Sequence, residues 1–147
     1  MEITKINTIG ACTAIAILLL CSLIFIFRIT GHHKTAYSLA VIFITMALPL
    51  AFLLTKASQF QRPPIYYIQI SLMLLFILTE LFLDYIFQME FRSISWLKIT
   101  YVMIFFGATG GMIGIAALEG RIWMSFAVFL FLAMTALAFI QHYFTGN

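Results

Sequence analysis

Residues 64–87 read PIYYIQISLMLLFILTELFLDYIF, and this run decides what kind of fold the chain forms. A helix that crosses a bilayer needs about 20 mostly apolar residues. The run has that length and opens on Pro64, which suits a helix's first turn because its missing N–H has no intrahelical partner there anyway. Its composition is hydrocarbon apart from a few polar groups, among them the two carboxylates Glu80 and Asp84.

Working outward, four more runs have the same character: residues 8–27, 36–54, 96–118 and 122–140. They are separated by the short polar breaks RITGHHK, TKASQFQRP, QMEFRSIS and EGR. The expected architecture is an all-α integral membrane bundle of five transmembrane helices with short loops. Residues 1–147 would form a single transmembrane domain, and the N- and C-termini would lie on opposite sides. Composition agrees: 64% of residues are hydrophobic and 9% charged, against about 45–50% and about 25% in soluble domains. Tyr66, Tyr67 and Trp123 are expected near one headgroup layer, and Tyr37, Tyr85, Trp96 and Tyr143 near the other.

The eight Lys and Arg residues are dispersed, which excludes a nucleic-acid face. Alternating spans put Lys5, Lys56, Arg62 and Arg121 on one side and Arg28, Lys34, Arg92 and Lys98 on the other, so the positive-inside count is tied. Around the first span alone, Arg28 and Lys34 outweigh Lys5, which favours an external N-terminus in a plasma (inner) membrane. The first segment is expected to stay as a helix, since no small-residue cleavage site follows it. Cys12 and Cys21 are roughly 13 Å apart along a helix axis, too far to bridge.

A carboxylate inside a bilayer is costly and commonly marks a site. On a helical wheel Tyr66, Gln69, Met73, Glu80 and Asp84 fall within about 60° of one another. That stripe must face protein or water. With the span's midpoint near Phe76, Glu80 lies about 6 Å from it and Asp84 about 12 Å. Lys98 is expected near Asp84 as its ion-pair partner. Glu80 is expected to be a neutral acid bonded to Tyr101, a hydrated group, or the target of a flexible basic side chain. Alternation also gathers His32, His33, Arg92, Lys98 and His142 at the Glu80 end. Adjacent histidines point in different directions, so a metal site is not expected.

The fourth span carries Gly107, Gly110, Gly111 and Gly114 at i, i+3, i+4 and i+7. Small residues at that spacing let another helix approach closely. The first span, with Gly10 and Ala14, is the expected partner, and a homo-oligomer through the same face is the alternative. Pro49 is expected to kink the second span and free the carbonyl of Thr45.

No HExxH, GxSxG, Walker loop or CxxC is present, so hydrolase, ATPase and thiol-redox chemistry are not expected. The sequence points to no cofactor. The leading expectation is a small carrier or channel-like protein for a proton, an ion or a small solute. Glu80 would be its working group, and Asp84 and Gln69 would line the same path. The alternatives are a membrane-embedded binding protein or enzyme for a lipid, quinone or other apolar ligand, and a non-catalytic subunit of a larger membrane complex.

Overall fold

A computed structural model describes residues 2–86 and 93–145, the side chains of Asp84, Tyr85 and Thr145 excepted. Helix α1 spans Ile3–Ile29, α2 His33–Thr45, α3 Ala47–Ala57, α4 Pro64–Glu80, α5 Ser95–Ala117 and α6 Arg121–Thr145. No strand occurs among the described residues. Counting α2 and α3 as one broken rod, five helices are long and apolar enough to cross a membrane. The helices overrun the apolar windows read from sequence, most of all at the start of α1 and the end of α6. Backbone groups near a headgroup layer are still best satisfied within a helix.

Helix α1 is the axis of the bundle. Its central stretch is 56% buried, against 17% for α6. It packs on α6, α2, α5 and α3. The residues that permit this are small: Gly10, Ala11, Thr13 and Ala14 are all buried and let neighbouring backbones come close. A bare stripe of Leu19, Leu23 and Ile26 stays exposed on the remaining face. Around α1, α6 packs on α5, α5 on α4, and α4 on α3.

The turns explain the register. After α1, Gly31 adopts φ +82°, with Gly31 N–H donating to Arg28 O and His32 N–H to Phe27 O. This is a Schellman turn, and the left-handed residue at its corner is the reason for glycine. The same closure ends the α3 rod, where Arg62 N–H donates to Ala57 O. There the left-handed residue is Gln61, φ +50°. Between α5 and α6 the expected tight turn forms at Leu118–Gly120, with Gly120 at φ +153°.

One end of the bundle is tied by side chains. Asn7 Nδ2 donates to Leu118 O at 3.3 Å, and Thr8 Oγ1 donates to Glu119 Oε1 at 3.1 Å. Arg62 donates to Asn7 Oδ1, and its guanidinium lies 5.0 Å from the centre of the Tyr66 ring. Tyr66 is therefore 2% exposed. Its ring packs inside this end of the bundle, against the Arg62 guanidinium.

Two spans depart from straight helices. The second breaks at Met46, whose N–H reaches back to Phe43 O, three residues rather than four. The cause is Pro49, whose ring excludes the carbonyl four residues earlier, that of Thr45. The third span is not one α-helix: Leu81–Ile86 winds as a π-helix directly after Glu80.

Candidate functional site

The Pro49 break has a consequence for packing. Helix α3 runs along α4, whereas α2, on the far side of the break, barely touches it. On the α2 side of the break lies a cavity of about 320 Å³. Helix α1 contributes Cys21, Ile24, Phe25 and Arg28, and α2 contributes Ala40, Phe43 and Ile44. Phe76 and Glu80 come from α4. Lys98, Tyr101, Val102, Phe105 and Phe106 come from α5, and Ala138, Phe139, Gln141 and His142 from α6.

Phe76 is the floor of this space. Its ring lies 5.3 Å from Phe105, 5.5 Å from Tyr101 and 6.1 Å from Phe43, so it joins α2, α4 and α5. Phe25 meets Phe105 edge-on at 5.8 Å. Edge-on and tilted pairs at such distances are the favoured geometries of aromatic rings. The polar groups lie toward the bundle end opposite the Asn7–Arg62–Glu119 cluster.

Glu80 is half-buried in this wall and is engaged within the protein, as is Tyr101. Arg28 and Lys98 line the same cavity. Both side chains are long and flexible, and reach from helix ends into the span.

Gln69 does not share the cavity. It lies on the α4–α5 seam, where a Cβ at Gly111 would stand 3.3 Å from its Cγ and a Cβ at Gly114 would overlap its amide. Between its level and Glu80 the core is closed by Ile70, Met73 and Ile77, each at most 1% exposed. The polar stripe on α4 is thus two separate features.

The glycine quartet is corrected in the same way. Gly107 faces Leu72 of α4, and Gly111 and Gly114 face Gln69 of α4, while Gly110 turns toward Phe131 of α6. Helix α1 does pack on α5, but through Gly10 against Ile115 and not through the glycine stripe.

Of the polar cluster expected at the Glu80 end, Lys98 and His142 line the cavity and the adjacent histidines do not. His32 is held at the α1–α2 turn, with Nδ1 3.0 Å from Thr30 Oγ1 and its ring against Phe27. His33 opens α2 and is exposed. The side chain of Asp84 and the whole of Arg92 lie outside the described residues, so the Asp84–Lys98 pairing does too. Among the described residues, no group of three His, Cys, Asp or Glu side chains converges as a metal site would. Both cysteines are free.

Replacing Pro49 with alanine restores an N–H for the Thr45 carbonyl, a bond of about 1 kcal/mol. We expect the α2–α3 rod to straighten, the unfolding free energy to rise by about that amount, and the cavity to narrow. The check is an unfolding titration paired with uptake of a solvatochromic apolar dye. Unchanged stability and uptake would mean that the surrounding helices, not the proline, hold the break.

No protein-family model matches the chain, and no curated protein or solved structure does either. The functional reading therefore rests on the cavity itself.

Proposed function

We propose that the protein binds an apolar or amphipathic molecule drawn from the bilayer, held in the cavity beside Glu80. The cavity is the observation that carries this reading. At about 320 Å³ it falls in the range of small-molecule sites, roughly 300–1,000 Å³, and has their character: mostly apolar walls with a few placed polar groups. Helix bundles in lipid are held by close packing, not by the hydrophobic effect, so an apolar gap forfeits contacts that an occupant restores. We place the protein as an integral membrane protein of a plasma (inner) membrane, its termini on opposite sides and the N-terminus external.

The test is native mass spectrometry from a mild, uncharged detergent after incubation with membrane lipid. The wild-type protein should retain a bound molecule. Ala138→Trp, which projects an indole into the cavity from α6, should lose it while keeping its helical circular dichroism. An empty wild-type protein, or equal retention by the filled variant, would overturn the proposal.

A second reading is translocation of a proton or ion through Glu80. The π-helix supports it, because wide turns of this kind recur at functional sites and begin here at the next residue. On that reading Glu80→Gln abolishes flux in proteoliposomes, and flux that survives the substitution sinks it.

A further inference from the structure

We infer that the cavity's ligand is an anionic amphiphile that slides in sideways between α5 and α6 and sets its head group against Lys98. This rests on the binding reading above and adds the ligand's class and its route.

The route follows from which lining residues are exposed. They are Val102, Phe139 and His142, all on α5 or α6, whereas every lining residue from α1, α2 and α4 is buried or half-buried. Helices α5 and α6 are joined by a tight turn at the opposite end of the bundle, and Phe106 and Phe131 meet between them at 6.3 Å. Past that contact the two helices border the cavity with side chains that also face outward. Val102 lies about 10 Å inside the start of α5 and Phe139 about 9 Å inside the end of α6, at 1.5 Å per residue. At 41% and 65% exposure, these two apolar side chains meet lipid tails at that depth, so the mouth opens on hydrocarbon.

The charge follows from which elements flank the mouth. Neither Ser95–Ala117 nor Arg121–Thr145 contains an Asp or Glu. Their polar contributions to the lining are Lys98, Tyr101, Gln141 and His142. Among the described lining residues the carboxylate is Glu80 alone; it comes from α4 and is engaged within the protein, and Arg28 of α1 adds a second cation to the lining. The positive end of the α5 dipole falls in the same turn as Lys98. A molecule arriving through the mouth meets a cationic wall for its head and phenylalanine rings for its tail.

Three probes that share one chain and differ in head charge test this: oleate, methyl oleate and oleylamine. Each is titrated onto the protein in nanodiscs of zwitterionic lipid, with binding read by native mass spectrometry. Oleate should bind about tenfold tighter than its ester, the effect of one charge-assisted contact, with the amine weakest. Lys98→Gln should bring oleate binding down to the level of the ester, with the helical circular dichroism retained. Val102→Trp should slow oleate uptake from donor vesicles. A further probe, oleoyl lysophosphatidate, separates a phosphate head from a carboxylate head, and either one outranking the ester supports the inference. Equal binding of all probes would leave the binding site standing and overturn its anionic selectivity. Tightest binding of the amine would overturn it in favour of Glu80 as the head-group partner. Unslowed uptake by the Val102 variant would overturn the lateral route. No binding of any probe would remove the underlying reading as well.

Discussion

Phe76→Ala should destabilise the bundle by about 2–3 kcal/mol, measured as a shift in the detergent-unfolding equilibrium. In soluble cores a buried Phe→Ala change costs about 3–5 kcal/mol. For a bundle set in a bilayer the transfer share of that cost is absent, since lipid tails are as apolar as the core. What remains is the loss of ring contacts to Phe43, Tyr101 and Phe105, each worth about 0.5–1.5 kcal/mol, together with the void left behind. Because the ring is also the cavity floor, the variant should accept bulkier apolar molecules than the wild type. A change under about 0.5 kcal/mol would mean that α2, α4 and α5 are held together elsewhere.

The second large effect belongs to the α4–α5 seam. A Cβ at Gly111 would stand 3.4 Å from Gln69 Cβ and 3.6 Å from Gln69 Cα, so anything bigger than a methyl group meets α4 backbone. Gly111→Leu should therefore cost about 3 kcal/mol or more, the upper range of overpacking, and prevent assembly in mild detergent. Gly110→Ala is the control. Its nearest neighbour is a Phe131 ring atom at 4.0 Å, and the change should stay within about 0.5 kcal/mol. Gly114→Ala should fall between them, since the atom in its way is the free end of the Gln69 amide, which can swing aside. Equal effects at Gly110 and Gly111 would show that the four glycines act as one face.

These contrasts mark where the sequence was legible. The five long apolar helices could be read because crossing a hydrocarbon core asks for about 20 apolar residues, a signal independent of packing. The gathering of Arg28, Lys98 and His142 around Glu80 could be read as well, since alternation of spans alone puts them at one end. Angular position on a helix was not enough for Gln69. It shares the stripe of Glu80, but the neighbour along that stripe changes from the glycines of α5 to an open cavity. The glycine quartet failed for a related reason: the adjacent Gly110 and Gly111 stand about 100° apart around the helix, enough to hand Gly110 to α6. The position of Pro49 predicted a kink but not its direction, which depends on α3 packing closely on α4 while α2 touches it mainly through Phe43. Alternation also put His32 and His33 at that end, but neither lines the cavity: His32 sits in the Schellman turn after α1 and His33 opens α2.

The axial place of α1 has a bearing on how the protein is made. Helix α1 is synthesised well before α6, the element on which it packs most extensively. Until α6 is in place, the part of α1 that it covers must be sheltered by lipid or by the insertion machinery. The axis of the bundle therefore gains its main cover from an element far away in the chain, and α1–α5 without α6 lack it.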